Sequence, residues 1–305
     1  MNGLVSVVIP TRDRPGPLAC CLRALVEQVT SSPTFEVIIV DDGGHVDLAA
    51  VAAPYRSRMR VQVLRQQPGG PARARNLGAA KASGQFLAFT DDDCAPHPDW
   101  LLQLQRALEN APRAMVGGVV INALVDNSWS EASQVLVDHL VQYYNQVPGQ
   151  ARFLTSNNIA LSRQQWLELG GFDETFPHAA AEDRDLCARW VEKGRPLLFV
   201  PEARVDHFHH LDATGYLRQH FNYGRGAARF HRLRRHRGGP VLQLEPLTFY
   251  LDLLRGPVRD VSFGVTARRV VVLAMSQLAN AAGFATESLV QRGSSSSPGA
   301  DAGHA

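Results

Sequence analysis

From Leu4 to Ile121, near-continuous apolar runs alternate with stretches of helical periodicity. Leu4–Pro10, Phe35–Val40, Val61–Arg65, Phe86–Thr90 and Met115–Ile121 read as strands, rich in β-branched residues and apolar on both faces. Between them, Pro17–Val29, Val46–Arg58, Pro71–Ala82 and Pro98–Asn110 read as helices. Pro71 stands near a first helical position, where a missing N–H costs nothing. Strands of this kind alternating with helices predict an α/β fold, a mostly parallel sheet covered on both faces.

The middle of the chain is less regular. It predicts a helix at Trp129–Tyr144, a strand at Arg152–Leu161, helices at Arg163–Leu169 and Glu182–Lys193, and a strand at Leu197–Val200. The last third changes character. Residues 213–240 hold seven arginines and no acid, and 241–290 are apolar with helical spacing. From Gly293 the Gly/Ser/Ala composition predicts a disordered tail. The expected organisation is thus a domain over 1–212, a helical extension over 213–292, and a tail over 293–305.

Composition narrows the class without naming it. Hydrophobic residues at 45% and charged residues at 20% are globular usage and exclude a fibrous or disordered chain. A formal net charge of +2 gives no global bias toward nucleic acid. Cys20, Cys21, Cys94 and Cys187 show no Cys-x-x-Cys and no framework spacing, which predicts a reducing, cytoplasmic setting. Leu4–Ile9 enters a strand pattern with no basic leader before it. The longest uncharged stretch, Val270–Thr286, includes Ser276, Gln277 and Asn280 and falls short of the roughly 20 apolar residues a spanning helix needs.

Chemistry collects at strand ends. In open parallel sheets ligands bind beyond the carboxyl ends of the strands. The first strand there runs into Thr11-Arg12-Asp13, the second into Asp41-Asp42-Gly43-Gly44, and the fourth into Asp91-Asp92-Asp93. Carboxylates crowded at one edge repel each other, and a hard divalent cation that also grips phosphate relieves the repulsion. The plainer alternative is helix capping by Asp93 or Asp99 and a turn at Asp41–Gly44.

Taken in order, Val5–Arg14, Val37–Gly43, Pro71–Asp93, Gly170–Glu174 and Glu182–Trp190 resemble the family 2 glycosyltransferases of the GT-A fold, over about residues 3–210. The resemblance implies a sheet flanked by helices and an inverting transfer of a sugar from a nucleotide-sugar donor to a carbohydrate, lipid-linked or small-molecule hydroxyl. It implies that Pro10, Thr11, Arg12, Asp13, Asp41 and Asp42 hold the nucleotide, and that Arg73 and Arg75 meet the diphosphate, with Asn76 bracing the loop. Asp91 and Asp93 match a metal-binding Asp-x-Asp for Mn²⁺ or Mg²⁺, with Asp92 between them at the donor. Which acids of the run ligate stays open, with Asp91 on the ribose as one arrangement. His207 is a further metal contact, with His209 beside it. Asp183 takes the general base role with Glu182 as its alternate, against a reading in which acids in a first helical turn complement the helix dipole. Ser156-Asn157-Asn158 falls where the acceptor side is expected.

Two other readings are weighed. A nucleotidyltransferase would also use a metal and an α/β sheet, but no glycine-rich loop follows the first strand. A non-catalytic nucleotide-sugar binder on the same fold needs no intact acid pair. Within Tyr216–His236, Arg218, Arg225, Arg229 and Arg232 form a stripe beside Leu217, Phe221, Gly224 and Ala228, the pattern of a basic amphipathic helix. That predicts docking to a membrane surface, at the inner face of the plasma membrane, and no nucleic acid partner.

Overall fold

The computed structural model describes residues 3–28, 32–147, 149–239, 245–255 and 263–295. Eight strands, β1 (Val5–Thr11), β2 (Phe35–Asp41), β3 (Arg60–Arg65), β4 (Phe86–Phe89), β5 (Cys94–Pro96), β6 (Met115–Asn122), β7 (Ile159–Ser162) and β8 (Leu197–His207), form one sheet in the order β3-β2-β1-β4-β7-β6-β8-β5. β3, β2, β1 and β4 run parallel, as the alternation with helices requires. β7 enters antiparallel between β4 and β6, and β5 pairs antiparallel with β8, so the sheet as a whole is mixed.

Period-two alternation sorts the side chains into two cores. Val5, Val7 and Ile9 of β1 face α1 (Pro15–Glu27) and, on the same side, α4 (Trp100–Asn110). Between them in sequence lies α2 (Leu48–Ala52), whose start is fixed by Asp47, whose side chain accepts from the amides of Ala49 and Ala50. Val8 of β1 and Ile38 and Val40 of β2 face α3 (Pro71–Lys81), together with α6 (Arg163–Leu169) and α7 (Glu182–Glu192). Gly78 lets α3 lie against the sheet, since a Cβ there would fall 2.4 Å from Val8.

Several elements differ from expectation. The helix expected over Val46–Arg58 is five residues followed by a 3₁₀ turn at Ala53–Tyr55, because Pro54 cannot continue the α-helical ladder. The strand expected from Arg152 begins only at Ile159. β8 runs on to His207, past a register shift opposite Gly118 and Val119 that absorbs Pro201–Ala203. Val29 and residues 296–305 lie outside the described residues, whereas 293–295, expected in the tail, belong to the last helix.

Four further helices are found among the described residues: α5 (Ser128–Tyr144), α8 (Ala213–His236), α9 (Leu247–Arg255) and α10 (Phe263–Ser295). α8 and α10 are in backbone contact through glycine. A Cβ on Gly224 would fall 1.9 Å from the Asn280 carbonyl oxygen, and one on Gly283 1.9 Å from that of Phe221. Gly226 likewise lies against the Ala180 carbonyl, just before α7. The expected arginine stripe therefore has an internal use. Arg225 and Arg229 each pair at 3.0 Å with Glu287 of α10, and Arg229 also donates to the Thr175 carbonyl. No helix among the described residues is long and apolar enough to cross a membrane.

Candidate active site

A cleft of about 1200 Å³ opens where the strands end. Pro10, Thr11 and Arg12 from β1 and its turn line it, as do Asp42, Asp91, Asp92 and Asp93. His207, the last residue of β8, and Asp183, at the start of α7, meet the same space. Residues far apart in sequence thus converge because the sheet presents its carboxyl edge to one place.

At the centre is the acid run after β4. The Asp92 carboxylate accepts from the Thr11 hydroxyl (2.6 Å) and from Arg14 (2.8 Å). The second arm of Arg14 reaches Asp93 at 2.8 Å, so one guanidinium clamps both acids. Asp93 also stands 3.3 Å from His207 Nε2. Burial pushes the Asp92 carboxyl up to about 7, against the pull of Arg14 and with the added repulsion of Asp93. Asp93 is buried as well, yet His207 and Arg14 carry it well below the usual carboxylate range. His207 responds in kind: burial works against its charged form, but Asp93 raises it overall. Asp93 does not cap α4. Asp99 occupies the cap position without bonding a backbone amide, its carboxylate accepting instead from Gln103.

Asp93, Cys94 and His207 offer ligand atoms within 4.8 Å of one another. Burial drives the Cys94 thiol well above its ordinary value, and sulfur is a soft donor that hard Mn²⁺ or Mg²⁺ does not favour. What remains is a carboxylate and an imidazole, with Asp91 more exposed on the same wall: a donor set that suits Mn²⁺ or Mg²⁺ held by few protein groups.

Arg75 differs from expectation. It is 1% exposed, and its two terminal nitrogens are taken by Asp91 (2.7 Å) and Glu182 (3.0 Å). It ties the acid run to the start of α7, with both terminal nitrogens engaged by carboxylates. Arg73, two residues earlier on the helix, is exposed and does not line the cleft. Asn76 braces the Gly170–Glu174 loop: its amide donates to the Phe172 carbonyl and Glu174, and its oxygen accepts from the Phe172 amide, all at 2.9 Å. Gly170 and Gly171, at φ of 85° and 72°, make that turn possible.

The acid pair of α7 divides. Glu182 is buried on Arg75, whereas Asp183 is partly accessible on the cleft wall, its carboxylate accepting from the Arg184 amide at 2.7 Å and from the Ser156 amide. Burial raises both carboxyls. Ala181, immediately before them, is held at φ 66°, one of two non-glycine residues with positive φ among the described residues. The other is Asp13. Such strain persists only where the surroundings enforce it.

Other expected contacts resolve as structure. The Asp13 carboxylate accepts from the His45 and Val46 amides and is absent from the cleft wall. Asp41 turns inward, accepting from the Gly44 amide at 2.8 Å beside Arg65. Asp42 lines the cleft, but its oxygens are used by Gln66 and by the amides of Gly69 and Gly70. Ser156 and Asn157 lie on the cleft, whereas Asn158 is buried and bonded to Trp100, Val119 and Ala203. Arg14 is the principal residue not expected. It closes the Val5–Arg14 block, but nothing in the sequence shows a side chain reaching across some 78 positions.

Residues 6–168 match the family model described as Glycosyl transferase family 2. A pre-mycofactocin glycosyltransferase of Mycobacterium tuberculosis is 31% identical over 235 residues, covering 73% of this chain and 47% of the relative. A validoxylamine A glucosyltransferase of Streptomyces hygroscopicus subsp. limoneus is 29% identical over 228 residues, 66% of this chain and 50% of its own. The chain thus spans about half the length of these curated relatives. A solved mannosyltransferase from Pyrobaculum calidifontis, in complex with GDP-Man and Mn²⁺, superposes with a TM-score of 0.68 at 15% identity, covering 95% of this chain and 88% of the other. S. aureus TarS 1-349 with UDP-GlcNAc gives 0.55 at 16% identity, with coverage of 95% and 92%. The ordered blocks, the acid run on its strand end and the family match agree: the chain belongs to glycosyl transferase family 2, on the GT-A fold.

Proposed function

We propose that this chain moves a sugar from a nucleoside-diphosphate sugar to an acceptor hydroxyl, with inversion and with help from a divalent cation. The observation that carries the reading is the gathering of the Asp91–Asp93 run and Asp183 on the wall of one cleft. Asp93 and His207, with Asp91, would hold Mn²⁺ or Mg²⁺, which when bound offsets negative charge on a leaving diphosphate. The protein's own residues do the rest. Arg14 holds Asp92 and Asp93 in place, and Thr11 fixes Asp92 from the other side. Pro10, Arg12 and Asp42 form the nucleotide wall. Arg75 positions Asp91 and Glu182, and Asp183 remains to act as the base.

Asp183 takes the acceptor proton as the hydroxyl oxygen bonds to the anomeric carbon. The bond from that carbon to the diphosphate oxygen breaks, and its electron pair departs with the nucleoside diphosphate. Attack from the face opposite the leaving group inverts the centre. A partly buried carboxylate with a raised proton affinity suits this role, because a base works best near the operating pH. The acceptor is a glycan, a lipid-linked molecule or a small molecule. Two of the four arginines of the basic stripe, Arg225 and Arg229, pair with Glu287, which leaves Arg218 and Arg232 for a membrane surface.

The test pairs binding with turnover. Thermal melts with UDP, GDP, TDP or CDP, each with and without Mn²⁺, should show a metal-dependent shift for one base. Donor turnover should disappear in Asp183→Asn while that shift stays. Full turnover in Asp183→Asn removes Asp183 as base. A shift without any turnover in the wild type favours the non-catalytic binder.

A further inference from the structure

The cleft extends beyond the residues assigned to the donor. Its volume of about 1200 Å³ exceeds the roughly 300–1,000 Å³ that a pocket gives one drug-sized ligand. Beyond Asp183 it continues into a chamber whose walls change chemistry. Leu136, Leu140 and Tyr144 of α5, Phe153, Phe249 of α9 and Phe284 of α10 line this part. The rings are set edge to face: Tyr144 meets Phe153 at 6.3 Å and 64°, and Phe249 meets Tyr143 at 4.9 Å and 78°. The chamber joins the acid pair directly. Arg184, next to Asp183, donates to the Tyr144 hydroxyl at 3.0 Å, and its guanidinium lies 5.5 Å from the centre of that ring. Glu245 takes the Tyr144 hydroxyl proton in a hydrogen bond, so the polar end of this aromatic wall is already satisfied.

Such a wall discriminates. A hydroxyl set against the rings themselves finds no hydrogen-bond partner there, and only the polar groups beside them, such as Gln277 and Asn280, could take it up. A flat apolar ring would find faces and edges at aromatic contact distance. Resting on the donor-site reading above, we infer that the acceptor is a ring-bearing apolar small molecule whose body fills the chamber lined by Leu140, Tyr144, Phe153 and Phe249 while its hydroxyl reaches Asp183.

The test compares phenyl, methyl and octyl β-glucosides, which share their hydroxyls and differ in the aglycone, together with an unsubstituted gluco-oligosaccharide. Binding is measured by calorimetry on the full chain with nucleoside diphosphate and Mn²⁺ present. The phenyl glucoside should bind at least tenfold more tightly than the methyl one. Phe249→Ala should remove that preference. Ala281→Trp places bulk on an exposed residue at the chamber's lip, so it spares the core and should remove the preference as well. Nucleoside diphosphate affinity should hold in both variants, which also shows that they fold. Equal binding of phenyl and methyl glucosides overturns the inference, as does tighter binding of the octyl glucoside or of the oligosaccharide. If nucleoside diphosphate fails to bind while the phenyl preference stands, the donor reading falls and the chamber remains. If the nucleotide binds and the preference is missing, the chamber assignment alone falls.

Discussion

At the end of β2, Asp41 and Asp42 accept from the amides of Gly44, Gly69 and Gly70. At the end of β4, Asp91, Asp92 and Asp93 face guanidinium groups, an imidazole and one another. Both runs follow a buried strand, and in sequence they look alike. Backbone amides are fixed donors that complete a carboxylate's hydrogen bonding, so the first run spends its acids on shaping a loop. The second run is held by side-chain cations instead, and its acids stay crowded against one another: Asp92 rises to about 7 while Asp93 falls. What surrounds an acid, rather than its place after a strand, separates a turn from a site.

The largest effect should come from the second run. Asp93→Asn removes the carboxylate shared by Arg14 and His207, and donor turnover should fall by roughly 10²–10³-fold. Asp41→Asn, at the matching place on β2, should change turnover by less than about threefold, as expected where a group contributes structure alone. Steady-state rates at saturating Mn²⁺ check the pair. Equal losses in the two variants would erase the distinction between the strand ends.

Next is the link between the acid run and the base. Arg75→Lys keeps the charge but loses the fork, so a single ammonium cannot span Asp91 and Glu182. Turnover should drop by about tenfold to a hundredfold, the range for a group that orients another. Because Arg75 positions rather than touches, the loss should appear in kcat with KM for the donor little changed. A rise in KM alone would make Arg75 a donor ligand after all.

How much of this was legible follows from the same distinction. The parallel core was readable because Val5–Ile9, Phe35–Val40 and Phe86–Phe89 are apolar on both faces, which few other structures allow. β5 was not, since Cys94-Ala95-Pro96 is too short to show a period. β8 was cut short because Pro201 and Glu202 interrupt its pattern where the register shift takes them up. In the site, Asp91–Asp93, Glu182-Asp183 and His207 were readable as residue types at strand and helix ends. The partners that sort them were not: Arg14 crosses to Asp92, Arg75 joins Asp91 to Glu182, and Arg225 and Arg229 meet Glu287 some 60 residues on. Each depends on long-range packing that no local window contains.

A smaller effect, on stability rather than rate, should separate the loop-shaping acids. Asp42→Asn leaves one oxygen to accept from Gly69, Gly70 and Gln66 and presents an amide where they donate. Unfolding free energy should fall by roughly 1–3 kcal/mol, the cost of leaving buried groups unpaired, as read from denaturant midpoints at unchanged slope. Stability equal to the wild type, with turnover lost, would move Asp42 into the class of Asp93.

The smallest effect tests the loop-shaping class through pH. Glu36, on the same strand as Asp41, is 4% exposed, and one of its oxygens accepts at 2.7 Å from the Ser6 hydroxyl and from the amide and hydroxyl of Ser83. Burial alone would raise its pKa, but the Ser83 and Ser6 bonds outweigh burial and the carboxyl lies below its ordinary 4.5. A depressed folded-state value means that the unfolded chain binds the proton first as the solution is acidified. The stabilisation is therefore whole above 4.5 and drains away as the pH falls through the folded-state value. Glu36→Gln should cost about 1–2 kcal/mol at neutral pH, the order of a charge-assisted hydrogen bond, and the gap to wild type should close well below pH 4.5. Denaturant unfolding at a series of pH values reads both limbs. A gap that stayed constant on acidification would mean that the three serine bonds hold the protonated acid as well as the carboxylate, and that fixed donors near β2 do not set its charge.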